Sequence, residues 1–329
     1  MQFRLLGSTG ISVSTISFGA GPVSGLLTSQ AAEQQRAVVA KAVELGINWF
    51  DTAAKYGEGQ SERSLGAALA ELRCDHPLHV ATKVRVNLTN ETDLRPLVVS
   101  SVKESLARLN LPRVTLLQIH NSITWNRNDQ PTSVTPDDVL GPCGLLAGMQ
   151  EVRAAGLVDH FGLTGIGDAK ALESVMQSRQ FATIQAPVHL LNPSALRDTP
   201  GGLVDPDFGK FLQTAHRLGM GIFAIRVFAA GALLGAEPSA HTFKTPFFPI
   251  DLYRRDQERV RRLLPLLGSE QVLRDYALRY VLSQPEVSSA IVGFGTAEHV
   301  LQAVTSADRE PLSSAELMRL ESLRNSIAE

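Results

Sequence analysis

Cysteine is scarce in this chain. Cys74 and Cys143 are the two among 329 residues, too few for a disulfide framework and too far apart for a metal-knuckle spacing. Both are expected to be reduced thiols. Charge of one sign is also missing: 31 basic and 33 acidic residues leave a formal net charge of −2, and no Lys/Arg cluster could track a phosphate backbone. Nucleic acid and anionic membrane surfaces are therefore not expected partners. Nor is there a hydrophobic run long enough to cross a bilayer. The longest apolar stretch, 219–235, is glycine-rich and carries Arg226 in its middle, which suits a buried strand and its following loop better. The opening Met1-Gln2-Phe3-Arg4-Leu5 alternates like a strand and lacks the apolar core of a signal peptide. A cytoplasmic location is expected.

What is present is material for a core, with 44% apolar and 19% charged residues, a globular rather than a disordered composition. Short runs rich in Val, Ile, Phe and Thr recur at 14–18, 47–50, 78–83, 116–120, 160–164, 183–186, 221–225 and 289–292. Such continuous apolar runs suit strands buried on both faces. Between them lie amphipathic stretches that read as helices, at 31–45, 61–72, 94–109, 145–155, 170–176, 208–218 and 271–282. A strand-helix unit repeated eight times without a break in composition predicts an α/β fold, a single (βα)8 TIM barrel domain over residues 1–329, rather than an open doubly wound sheet. Before the first barrel strand, residues 3–13 read as a β-hairpin around Gly7-Ser8-Thr9-Gly10, placed to plug the N-terminal end of the barrel. Two segments, 121–141 and 236–265, read as long loops and candidate walls of a substrate pocket.

Three polar residues fall at the C-terminal ends of successive predicted strands: Asp51, Lys83 and His120. In a barrel those ends converge on one rim, where active sites lie. Tyr56 sits in the loop leaving the Asp51 strand and can lean toward the other three. The group suits hydride transfer at a carbonyl carbon, which leaves negative charge on oxygen and calls for a proton donor beside it. Tyr56 is that donor. An isolated phenol holds its proton to about pH 10, and a neighbouring ammonium favours the ionised form. Lys83 would supply the ammonium, Asp51 would hold Lys83 charged and oriented, and His120 would donate a hydrogen bond to the substrate oxygen. Taken singly, each has a plainer role as a helix cap, a solvated lysine, a rim histidine or a core tyrosine. Their joint placement is what points to chemistry.

The strings Asn48-Trp49-Phe50-Asp51-Thr52-Ala53 and Tyr56-Gly57-Glu58-Gly59-Gln60-Ser61-Glu62 resemble the signature of the aldo-keto reductase family, as do Ala81-Thr82-Lys83-Val84 and Leu117-Gln118-Ile119-His120. The resemblance extends from the Leu6–Gly10 turn to Ile291-Val292-Gly293, nearly the whole chain. It implies the catalytic tetrad Asp51, Tyr56, Lys83 and His120, and a barrel that binds extended NAD or NADP without a Rossmann domain. The lack of a Gly-x-Gly-x-x-Gly after the first strand is then no objection. By the same resemblance Gly19, Ala20, Gly21, Asp51, Thr164, Gln185, Arg226, Phe228 and Gly231 would contact the cofactor. Gly293, Gly295, Thr296 and His299 would hold its adenosine phosphate end at a helix start. No metal site is expected.

The chain departs from the family's pattern in three places. Thr164-Gly165 stands where many relatives carry Ser-Asn. Ile225-Arg226-Val227-Phe228 stands where many place an aromatic before Ser-Pro-Leu, and Gly293 and His299 occupy positions that often hold Lys and Arg in NADP-specific relatives. The choice between NAD and NADP stays open. The 161–166 and 226–231 runs are most similar to the branch of fucose, galactose and threo-aldose dehydrogenases, which implies aldose oxidation, with Asn121 and Trp125 as pocket walls. The small-molecule substrate is therefore expected to be a carbonyl compound or a sugar. The alternatives are a general NADPH-dependent aldehyde or ketone reductase, or a non-catalytic cofactor-sensing subunit like those of potassium channels. A metal-dependent barrel hydrolase would need clustered ligands that these strand ends do not supply.

Overall fold

The structure is a computed structural model that describes residues 1–88, 91–199 and 206–327. Its strands are β1 (Phe3–Leu5), β2 (Ser12–Ser14), β3 (Ile16–Gly19), β4 (Trp49–Asp51), β5 (His79–Val84), β6 (Val114–Ile119), β7 (Val158–Thr164), β8 (Thr183–Pro187), β9 (Gly221–Ile225) and β10 (Ser289–Gly293). β3 to β10 run parallel and close into a barrel, with β10 pairing both β3 and β9, while β1 and β2 form a separate antiparallel hairpin. This is the (βα)8 barrel that the repeated unit predicts.

Alternation along each strand sorts the side chains into two systems. Phe50, Val80, Val84, Leu117 and Ile119 face outward into the large apolar layer beneath the helices. Trp49, Ala81, Leu116 and Phe223 face inward, and with Leu6 and Val13 of the hairpin they form a separate cluster at the bottom of the barrel. The hairpin is thus a plug. Its turn presses so closely on the start of β9 that a Cβ at Gly7, whose φ is +52°, would lie 2.2 Å from the Gly221 nitrogen. A side chain there would lift the plug. One step higher in the same alternation, the inward residues become polar: Asp51, Lys83 and Gln118.

Three details differ from the sequence reading. Ser14 belongs to the hairpin, paired with Phe3, and the first barrel strand begins at Ile16. The helix expected from 208 begins at Phe211, because Gly209 and Lys210 both have positive φ and a right-handed helix cannot start through them. The expected loop 236–265 is more than half helix, since Ile250–Leu267 is a continuous helix that buries Tyr253, Asp256, Val260 and Leu263 on one side. Its arginine-rich surface and Pro265 hide that periodicity in the sequence. The other long segment is anchored: Ile123 bridges both Val134 and Gly167, and a capping box of Thr135 and Asp138 starts the short helix Pro136–Leu140.

Candidate active site

The pleat brings the strand-end residues together at the upper rim. Asp51 on β4 and Lys83 on β5 form a buried ion pair, the two residues 3% and 2% exposed. Lys83 Nζ also donates to the Thr52 carbonyl at 2.9 Å and to Tyr56 Oη at 3.1 Å. Burial works against the ammonium, but Asp51 and Tyr56 outweigh it and hold the Lys83 pKa above its ordinary value. The other Asp51 oxygen accepts from Gln118 Nε2 at 3.0 Å and from Gln185 Nε2. A carboxylate with this many donors is fixed in place.

Tyr56 reaches the group because of the turn that follows it. Gly57, Glu58 and Gly59 have φ of +58°, +51° and +81°, a run that glycine permits at two of three positions, and it swings the chain into the helix Gln60–Ala70. That helix is tied down by Glu62, which is buried and accepts from Thr82 Oγ1 at 2.5 Å and from Arg108 Nε at 2.6 Å. Ser61 Oγ donates to the Ala20 carbonyl at 2.8 Å and bonds with Thr52 Oγ1 at 2.9 Å, which locks the tyrosine loop to the loop after β3. The Tyr56 ring meets His120 edge-on, with centroids 5.6 Å apart. Burial, then the charges of Arg85 and Lys83, push the His120 pKa well below its ordinary value. His120 is neutral at physiological pH.

The residues expected to hold a cofactor fall at or near the ends of β3, β4, β7, β8 and β10 and in the segments that follow β3, β9 and β10. Gly19 pairs in register with Asp51 on one side and Gly293 on the other. A Cβ at Gly19 would run into Ile291 and the Val292 backbone, so its smallness serves strand packing, whereas one at Gly21 would lie 3.7 Å from the Tyr56 ring. Thr164 Oγ1 is buried without a hydrogen-bond partner. At Gly165 a Cβ would stand 2.6 Å from the Phe211 ring, which fills the space that a side chain at this position would need. Thr296 caps the helix Ala297–Ala307, accepting from His299 N at 3.2 Å, and the His299 side chain is exposed. Gly231, at φ +106°, lies in the turn after β9 against Ala236 and Tyr253, and Phe228 opens that turn. Arg226, also at positive φ, stacks on Phe248 at 3.8 Å, and burial lowers its pKa to about 10.

The two residues expected in the substrate pocket lie in different settings. The Asn121 side chain is buried and turned into the loop: Oδ1 accepts from Val86 N at 3.0 Å, and Nδ2 donates to the carbonyls of Val86 and Thr132 at 2.7 and 2.6 Å. Trp125 is 54% exposed. The sequence reading passed over Gln118 and Arg85. Both were within reach of the alternation that places Lys83, being inward positions on β6 and just past the end of β5.

Across this architecture, the Aldo/keto reductase family matches residues 15–325. The chain belongs to the aldo/keto reductase family. It is an NAD(P)-dependent oxidoreductase. Among curated proteins it is similar to the L-galactose dehydrogenase of Arabidopsis thaliana, 27% identical over 99% of this chain and 96% of that protein. It also resembles a Pseudomonas D-threo-aldose 1-dehydrogenase, 24% identical with 87% of each chain covered. The holo form of an aldo-keto reductase from Bacillus halodurans superposes with a TM-score of 0.72 at 20% identity, covering 98% of this chain and 96% of that one, which establishes the shared fold.

Proposed function

We propose that this aldo/keto reductase transfers hydride between NAD or NADP and an aldose, with Tyr56, Lys83, Asp51 and His120 as its catalytic group. The observation that carries the reading is the Lys83 ammonium, which bonds Asp51 and Tyr56 Oη together inside the barrel rim. The residues present fit a nicotinamide dinucleotide. The unpartnered Thr164 Oγ1 and the Gln185 amide offer polar groups to a carboxamide, Gly21 puts no side chain against the Tyr56 ring, and the start of the helix at Thr296 offers backbone N–H groups to phosphate. Bound there, the nicotinamide would accept or donate the hydride.

In the oxidising direction Tyr56 Oη takes the proton of the substrate hydroxyl, and in the reducing direction it returns a proton to the carbonyl oxygen. Lys83 stabilises the phenolate that this requires, and Asp51 keeps the ammonium in position. Neutral His120 acts as a hydrogen-bond donor to the substrate oxygen and takes no part as a charged acid. The sugar assignment draws on the names of the L-galactose and D-threo-aldose dehydrogenases to which the chain is similar. Oxidation of the anomeric hydroxyl of an aldose gives a lactone.

The test is nicotinamide absorbance with NAD and NADP separately, using aldoses in one direction and simple aldehydes and ketones in the other, on wild type and Tyr56→Phe. Aldose-dependent reduction of the cofactor is expected, with turnover falling about 10²- to 10⁴-fold in the variant while cofactor binding persists. Unchanged turnover in Tyr56→Phe would overturn the mechanism, and NADPH-linked aldehyde reduction alone would return the protein to the general reductases.

A further inference from the structure

Arg85 has no part in the tetrad, yet the fold carries it to the same rim. On β5, Val84 faces outward into the apolar layer, as does Val86 just beyond it, while Ala81 and Lys83 face inward. Arg85 is the next inward position, one step above Lys83. The segment that presents it is clamped by Asn121, which bonds both the N–H and the carbonyl of Val86. Arg85 Nη2 donates to the His120 carbonyl at 3.0 Å, its guanidinium lies over the Phe247 ring at 4.9 Å, and its Nε is buried without a hydrogen-bond partner. The charge acts on the chemistry beside it, since Arg85 contributes to the depressed pKa of His120 and is itself influenced by Tyr56.

Among the described residues no carboxylate pairs with Arg85. Asp51 is already bound to Lys83, so the mouth of the site carries a partly buried guanidinium with donor capacity to spare and, among the described residues, no carboxylate bonded to it. A permanently charged, planar donor in that state matches a carboxylate. The Phe247 face and the His120 carbonyl hold the guanidinium in one orientation, which lowers the ordering cost of binding.

We propose that Arg85 is a specificity-determining residue that binds a carboxylate on the substrate, away from the reacting carbon, so that the preferred aldose is an acidic one of the uronic acid class. This rests on the aldose reading above. Galacturonate and galactose, which differ at C6 as carboxylate against hydroxymethyl, separate the two claims when each is measured for turnover and, by calorimetry, for binding to the cofactor-loaded protein.

The expected result is at least about tenfold in KM and dissociation constant favouring galacturonate, the size of one charge-assisted hydrogen bond. Arg85→Gln should bring the galacturonate-to-galactose ratio down to about one, whatever loss the two sugars share, and Arg85→Lys should keep part of the preference. Equal affinity of wild type for the two sugars overturns the inference. So does an Arg85→Gln defect that falls equally on both sugars in kcat and leaves that ratio unchanged, which would make Arg85 a positioning residue for His120. Preferential binding of galacturonate without turnover supports Arg85 as the carboxylate site and counts against aldose oxidation instead.

Discussion

Two sectors of the barrel rim set cations among their polar groups in different ways. Over β4 to β6, Lys83 is buried with its charge answered at once by Asp51, and Gln118 and Gln185 complete the carboxylate's hydrogen bonds. Beyond β8 and β9, His189 is buried and Arg226 half-buried in a neighbourhood that includes Arg255 and Arg259, and Asp256 lies among them, at 4.0 Å from Arg255 and 3.8 Å from Arg259. Burial holds the Asp256 pKa up despite those arginines. The first sector is preorganised by its own residues. In the second, Arg226 is held by stacking on Phe248, and protonation of His189 is suppressed, with its pKa lowered to about 3 by burial and then by Arg226, Arg259 and Arg255. A polar sector balanced internally suits fixed chemistry.

The largest effect should come from unbalancing the first sector. Lys83→Met removes the ammonium and leaves Asp51 buried with only the two glutamine donors and no countercharge, a change that costs about 3–5 kcal/mol for a broken buried pair. Urea denaturation would read the loss. The double variant Asp51→Asn with Lys83→Met should recover much of it, because no lone charge then remains. A single variant as stable as wild type would show that the pair is not the compensated unit described here.

The same contrast separates what the sequence disclosed from what it hid. The eight strands, and the positions of Asp51, Lys83 and His120 at strand ends, follow from local apolar runs, which a single sequence displays directly. Arg85 continues the inward alternation of β5 but falls one residue past its end, where a pattern read strand by strand stops. The bond from Gln185 to Asp51 joins residues 134 positions apart across the barrel mouth, and no local spacing encodes it. The helix Ile250–Leu267 was hidden because arginines occupy so much of its surface that its buried stripe of Tyr253, Val260 and Leu263 is thin. Loops and charged helices owe their placement to contacts distant in sequence. The second sector is made of such parts.

A change between the sectors probes how tightly the cofactor wall is packed. Gly165→Asn would place a polar side chain on this wall, but its Cβ would stand 2.6 Å from Phe211 and 3.0 Å from the Gln185 carbonyl oxygen. Overpacking of this kind costs about 1–3 kcal/mol. Combining it with Phe211→Leu should relieve the clash. Thermal denaturation of the single and double variants checks this, and a Gly165→Asn protein at least as stable as wild type would mean that the ring yields readily and that the wall is softer than its contacts indicate.

The smallest effect distinguishes the sectors by pH. His120 and His189 are both kept neutral in the folded protein, whereas in the unfolded chain each titrates near its ordinary value of about 6.5. Below that pH the unfolded chain binds protons that the folded one refuses, so stability falls as pH decreases, by about 1.4 kcal/mol per pH unit for each histidine. The contribution is whole above pH 6.5 and, for His189, declines until the folded group itself protonates at about 3. Urea midpoints at pH 7, 6 and 5 should therefore drop less steeply in His189→Gln than in wild type. Identical slopes would mean that His189 is free to protonate in the folded state, and the charges of Arg226, Arg255 and Arg259 would not be felt there.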